Sequence, residues 1–220
     1  MRIVANIVLL IAVSCLITEL LGYWLHRLLH SGAIGFLSRN HMKHHLVLYG
    51  PLQNQRSSAY RDATTESASL GNIGLEWLMP AGLLLFGAVT AFHFLHVRLI
   101  YRFVSLGTSL LWGFLMFSYL HDVMHIEGFW MEKNRWLGRW FTSARTLHDI
   151  HHEVVNREGL MDKNFGIGFF LFDRLFGTLC LAAQALDKIG YDRALERFRA
   201  ILEQPDVTAA TTAPPEIKAT

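Results

Sequence analysis

Three stretches of the chain are almost continuously apolar: Ile3 to about Leu25, about Leu75 to Leu95, and about Phe103 to Leu120. A helix crosses the hydrocarbon core of a bilayer in about 20 such residues, so each stretch predicts a transmembrane helix. Arg2 precedes the first, and Ala12-Val13-Ser14-Cys15 faintly resembles a lipoprotein cleavage site. The run continues past Cys15 into His26 and His30, which reads as a retained anchor that delivers ligands. A fourth apolar stretch, Gly166 to Leu186, holds Asp173 and Arg174 in its interior. Charge at bilayer depth is costly, so an interfacial or re-entrant helix is predicted there.

Other segments are patterned differently. From Tyr191 to Leu202, Leu195, Phe198, Ile201 and Leu202 recur at helical spacing among charged residues, predicting an amphipathic helix. Residues 46–74 form a polar connection with a turn at Gly50-Pro51, expected to pack over a site as a lid or to be partly mobile. Between Trp130 and Phe141, aromatic residues interleave with Lys133, Arg135 and Arg139, a composition suited to the headgroup region, with a solvated helix that buries an aromatic face as the alternative. Beyond Gln204 the chain is rich in Thr, Ala and Pro, with too little apolar content to fold. The expected architecture is an all-α integral membrane protein of about three transmembrane helices plus interfacial helices. It forms one domain over residues 1–203, and 204–220 is a disordered tail.

Composition narrows the chemistry. The chain is 52% hydrophobic and 17% charged, with a formal net charge of +2. That charge is too small for a nucleic-acid partner, and no Lys/Arg run interleaved with aromatics appears. Cys15 and Cys180 lie far apart in apolar segments, which excludes a disulfide framework and a Cys-x-x-Cys site. No glycine-rich nucleotide motif is present to hold a flavin or nicotinamide, so electrons have to come from a separate redox partner.

Imidazole is left to carry the chemistry. Ten of the 12 histidines fall into four clusters: His26/His30, His41/His44/His45, His121/His125 and His148/His151/His152. On a helix, His-x-x-x-His places two rings on one face about one turn apart, and His-x-x-His-His adds a third. The three spans bring all four clusters to one side. Only Arg2, Arg98 and Arg102 of the 20 Lys and Arg residues fall on the other side, so the histidine side and the C-terminus are expected in the cytoplasm and the N-terminus outside. His93 and His96 are separated from His121 by a whole span, roughly 30 Å, and are assigned an interfacial or packing role.

Neutral imidazole suits zinc, copper, iron and nickel, so ligand type leaves the metal open. Number is more telling, because a structural zinc needs four ligands and a catalytic one three. Ten histidines suffice for two metals with five ligands each, and adjacent redox metals can activate dioxygen. At the ends of transmembrane helices, such a site can draw a long apolar chain from the bilayer and protons and electrons from the cytosol. A membrane protein that only binds or transports metal is the competing class, although transport would place ligands near mid-span. A haem protein with paired axial histidines is a further alternative.

The sequence His26-Arg27-Leu28-Leu29-His30, then His41-Met42-Lys43-His44-His45, His121 to His125, and His148 to His152, resembles the fatty acid hydroxylase/sterol desaturase superfamily. Glu19, seven positions ahead of His26, is similar to an acidic residue of that family. Asn164-Phe165-Gly166 and Asp173-Arg174-Leu175-Phe176-Gly177-Thr178 look like its closing signature. The likeness runs from Glu19 to Thr178. It implies an integral membrane enzyme that uses O2 and a ferredoxin or cytochrome b5-like donor to hydroxylate or desaturate a lipid, whether fatty acyl, sterol or related.

The implied metal ligands are His26, His30, His41, His44, His45, His121, His125, His148, His151 and His152. They would hold two Fe2+ ions, with zinc able to replace them in purified protein. Glu19 shares a helix face with His26 and His30 and is expected to hydrogen-bond a ligating ring. Asp122 and Asp149 are weaker candidates for the same kind of role, Asp173 and Arg174 are expected to be structural, and Asn164 is placed near the site. The sequence departs from the family in having one span ahead of the first cluster and Glu rather than Asp at position 19. Its His121-Asp122 pair is similar to carotenoid hydroxylases, an alternative assignment, although that branch spaces its third pair one residue wider.

Overall fold

The computed structural model describes residues 2–60, 78–183 and 185–203. Its first helix, α1 (Arg2–Ser31), has 30 residues and is about 45 Å long. That length crosses a hydrocarbon core of about 30 Å and still carries His26 and His30 on its last turns. Its apolar side chains point outward, with Ile3 64% and Val8 61% exposed, as lipid-facing residues should be. The helical hairpin that follows later in the chain consists of α3 (Leu78–Phe94) and α4 (Leu99–Gly113), joined by a turn in which His96 takes a left-handed φ of 50°.

α4 continues without a break through a π-helical segment, Phe114–Leu120, into a final α-helical turn, His121–Met124. It packs along α1. Ser14 Oγ and Ser105 Oγ lie 2.9 Å apart across the contact, a hydrogen bond that satisfies two hydroxyls with little water nearby. A Cβ at Gly22 would sit 2.0 Å from the Phe117 ring, so the missing side chain is what allows the close approach.

Two helices are long and apolar enough to cross a membrane, Ile3–Ser31 and Leu99–Met124. Of the roughly three spans expected, these two are long enough among the described residues, and α3 is a shorter apolar helix of 17 residues. Residues 61–77, which include the start of the expected second span and about half of the expected lid, lie outside the described residues, as does the 204–220 tail.

The remaining elements form a cap at the histidine end. α2 (Gly35–Lys43) winds into a π-helical turn, His44–Leu48. α5 (Gly138–Glu153) carries the last histidine cluster. The amphipathic helix appears as α7 (Lys188–Leu202), opened by Asp187, whose side chain accepts the N–H groups of Ile189 and Gly190. Its buried Ala194 and Phe198 pack on Met42, Leu46, Val155 and Met161. Among the described residues there are no strands, only one isolated parallel bridge between Arg56 and Ile126.

Two expectations are narrowed. Among the described residues between Gly166 and Leu186 the helix is α6 (Leu171–Phe176), too short for a span. The preceding Gly166 and Gly168 press their backbones against Phe169 and Met116, and Gly177, at φ 72°, ends the helix in the left-handed region. In the Trp130–Phe141 segment, Trp130 and Trp136 are exposed as a headgroup position requires. Phe141, however, is fully buried in a core with Met116, Leu120 and Met124. It lies on the inner face of α5, which the interleaved pattern does not separate from the outer one.

Candidate metal centre

The ten clustered histidines converge into two groups of five. His26, His30, His41, His45 and His151 form the first; His44, His121, His125, His148 and His152 form the second. Within each group one ring nitrogen per residue lies within 4.8 Å of all the others. Nine of the ten residues are buried, His41 being the half-buried one. The two groups adjoin, with the His45 and His152 rings stacked at a centroid distance of 3.9 Å.

Helical geometry explains the partition. Consecutive residues on a helix point about 100° apart, so the doublets His44-His45 and His151-His152 each straddle the two groups. The first group takes His26/His30, the i, i+4 pair His41/His45, and the middle residue of the later triplet, His151. The second takes His121/His125, the pair His148/His152, and the middle residue of the earlier triplet, His44. Each half of the chain therefore builds one group and lends one ring to the other. The middle histidine of each triplet does not join the other two.

Backbone carbonyls orient four of the rings, two in each group. Nδ1–H of His26 donates to Phe165 O at 2.6 Å and that of His151 to Lys163 O at 2.6 Å. Nδ1–H of His125 donates to Asn54 O at 2.6 Å and that of His152 to Tyr49 O at 2.9 Å. A carbonyl only accepts, so Nδ1 carries the proton and Nε2 presents its lone pair, the tautomer a metal ligand needs.

That assignment tests whether these residues fit a metal. Nε2 of His26 and Nε2 of His151 are 3.1 Å apart. Both are unprotonated by the argument above, so two lone pairs face each other with nothing between them. Neither group contains a carboxylate to balance a protonated ring. Burial, followed by the nearby His26, pushes the pKa of His151 well below the ordinary histidine value. Burial and neighbouring imidazoles do the same for His41, His44, His45 and His148, and for His152 against the opposing effect of its Tyr49 bond. His125 is lowered to about 4, mainly by burial.

A shared cation removes the conflict. Two imidazole nitrogens bound at right angles, each about 2.1 Å from one ion, are about 3.0 Å apart. The Nε2 pairs His30/His41, His41/His45 and His125/His148 are at 2.9, 3.2 and 3.1 Å. Nε2 of His44 and Nε2 of His152 are buried without a hydrogen-bond partner, a costly arrangement unless a metal takes the lone pair.

Residues without ligand spacing hold the carbonyls in place. Asn164, at a left-handed φ of 54° and fully buried, donates Nδ2 to Leu147 O and Cys180 O and accepts Cys180 N on Oδ1. It thereby pins the loop whose flanking carbonyls, Lys163 and Phe165, orient His151 and His26. Asp173 accepts N–H from Phe165 and Gly166 and O–H from Thr178, which answers the cost of its charge within an apolar segment. Burial pushes its carboxyl pKa up, and these donors pull it back only partly. The structural role expected for Asp173 is the one observed.

The second group is braced by Arg145, which the sequence did not single out. Its guanidinium donates to Val123 O and Ile126 O at the end of the helix bearing His121 and His125, pairs with Glu132, and lies 4.6 Å over the Phe141 ring. Arg56 N donates to His125 O and Glu127 N to Arg56 O, a bridge that lays residues 54–56 beside His125.

Among the expected acidic residues, Glu19 is a correction. Its Oε1 accepts Trp112 Nε1–H at 2.8 Å, and it makes no hydrogen bond to an imidazole. The heptad puts it on the right face of α1, but two turns below the rings and level with α4. Asp149 reaches no ring either. Its Oδ2 accepts Gln55 Nε2–H at 2.8 Å, so it steadies the strand of chain that presents Asn54 O to His125. Burial raises its pKa to about 6. Asp122 is half-exposed and lies outside both groups. His93 and His96 are exposed at the far end of the hairpin, also outside both.

A sequence model of the fatty acid hydroxylase family matches residues 11–178, about three quarters of the chain. No curated protein and no solved structure matches it. The matched span opens inside α1, takes in all ten grouped histidines and closes on Thr178, which hydrogen-bonds Asp173. With apolar helices of crossing length and metal-competent histidine groups at their ends, the chain belongs to the fatty acid hydroxylase family.

Proposed function

We propose that the ten histidines hold two iron ions and that the protein is an O2-dependent oxygenase or oxidase acting on an unactivated C–H position of a membrane lipid. The observation that carries this reading is the facing pair of unprotonated Nε2 atoms, His26 and His151, within two five-histidine groups that hold three further Nε2 pairs at 2.9, 3.2 and 3.1 Å. Bound iron would supply the O2 activation that breaking such a bond requires. An alcohol product consumes one O2, two electrons and two protons and releases one water. A double bond consumes the same and releases two waters.

The protein's own residues supply position and exclusion. Four carbonyl-bound Nδ1–H groups fix ring tautomer and aim. Burial of the rings keeps water from competing for the lone pairs and from quenching a strong oxidant. No nucleotide cofactor motif accompanies the site, so a separate ferredoxin or cytochrome b5-like protein is the proposed electron source. The excess of Lys and Arg beside the histidines supports a cytoplasmic side for this face and for the proposed donor. Fatty acyl and sterol-type lipids are the proposed substrates, and the Asp173–Thr178 ending favours this branch over carotenoid hydroxylation.

The test compares lipid extracts of cells with and without the protein by mass spectrometry, alongside the metal content of the purified chain. A lipid that gains one oxygen or loses two hydrogens, with about two irons per chain, is expected. An unchanged lipidome in cells whose purified protein is iron-loaded would overturn the enzymatic reading in favour of metal binding alone.

A further inference from the structure

Two turns below the first histidine group, a cavity of about 270 Å³ lies between the Ala12–Glu19 face of α1 and Phe169, Leu171 and Phe172. Its wall is apolar except for Glu19 and the Cys15 thiol. Glu19 is only 7% exposed, and among the described residues it is held by one hydrogen bond, from Trp112. An ionisable group buried within a span is costly, and a carboxyl has acceptor capacity beyond a single bond. Its rim carries exposed Leu16 of α1, with exposed Phe169 and Leu171 opposite, beside a helix long and apolar enough to cross a membrane. The molecules that can reach it are lipids.

The cavity also neighbours the metal centre. Phe172, on its wall, packs with Tyr23 and Phe165, and the Phe165 ring lies 5.7 Å from each of His26, His30 and His151. The aromatic cluster of Phe172, Tyr23 and Phe165 lies between the two spaces. At 270 Å³ the cavity falls just below the range of about 300–1,000 Å³ typical of small-molecule sites, so it accepts one end of a lipid while the rest stays in the bilayer.

We propose that this cavity binds the hydroxyl end of a lipid alcohol, with Glu19 as the group that recognises the hydroxyl. A hydroxyl both donates and accepts, so it pairs with a carboxyl in either protonation state. A ligand carboxylate would bring like charge into a buried site, and a bare hydrocarbon would leave Glu19 unmatched. The site rests on the lipid-oxidation reading for its ligand's role as substrate. Glu19 lies about 10 Å along α1 from His26, so anchoring there sets which part of the lipid comes nearest the histidines.

The experiment uses the full chain, iron-loaded and reconstituted in phosphatidylcholine nanodiscs, with a photoactivatable long-chain alcohol and its methyl ether as probes. Labelling is mapped by peptide mass spectrometry, and iron content is measured on every variant to confirm that the fold is kept. The alcohol is expected to label the peptides containing Ala12–Glu19 and Phe169–Phe172 about tenfold more than the ether does. Glu19→Leu should erase that preference and Glu19→Gln should keep most of it, while Ala12→Trp, which fills the cavity without touching the carboxyl, should abolish labelling by either probe. Equal labelling by alcohol and ether in the wild type, or a preference that survives Glu19→Leu with iron retained, would overturn the proposal. Because labelling needs no turnover, this result is separable from an unchanged lipidome, which bears on the oxidation reading alone.

Discussion

Asn164 concentrates more of the site's support than any single ligand. Three hydrogen bonds from one buried side chain hold a backbone loop whose two flanking carbonyls orient histidines from α1 and α5. Asn is one of the few residues other than glycine that tolerates its left-handed φ. Asn164→Ala removes the bonds and keeps the strained backbone, a loss of about 2–4 kcal/mol. Asn164→Gly relieves the backbone alone and should cost less. Thermal unfolding in detergent orders the three proteins, and metal content should fall in the same order. An Ala variant as stable as wild type would show the loop to be held by something else. None of this was visible from ligand spacing, because the acceptors at 49, 54, 163 and 165 are backbone oxygens that any residue supplies.

Among the elements, the π-helical turns make the clearest contrast between what was legible and what was not. The four clusters and the apolar runs are local patterns, so both were readable directly: ligand spacing names the residues, and run length names the helices. Which ring joins which group depends on how α2 winds at His44–Leu48 and how α5 meets it. Glu19 failed for a related reason, since a heptad fixes a face but not the height at which another helix meets it. The assignment of adjacent histidines to separate groups has a measurable consequence. His44→Ala should lower occupancy of the second group and His45→Ala that of the first, each leaving about one metal per chain, with the double variant near zero. Metal analysis of the three purified proteins distinguishes this from a single shared site, for which the two single variants would lose both ions together. His93→Ala, at the far end of the hairpin, should change nothing in the same measurement.

At the scale of the whole molecule, two crossing helices and a cap converge on a buried core made of imidazole, and that core ties stability to pH. Above about pH 6.5 the rings are neutral whether the chain is folded or unfolded, so they impose no electrostatic cost. In the fold, burial lowers His125 to about 4 and His41, His44, His45, His148, His151 and His152 well below the ordinary value. As the pH drops below 6.5 the unfolded chain takes up protons that the folded chain refuses, so stability falls with pH, the sign expected when the unfolded state binds more protons. Bound metal occupies the same lone pairs and stabilises only the folded chain, which moves the loss to lower pH. Thermal unfolding of the metal-free protein should therefore shift steeply downward between pH 6.5 and 4, and that of the metal-loaded protein should begin its fall at a more acidic point. A metal-free protein with a flat melting temperature across this window would mean that the rings are solvated, and that the close approach of unprotonated nitrogens on which the metal assignment rests does not exist in solution.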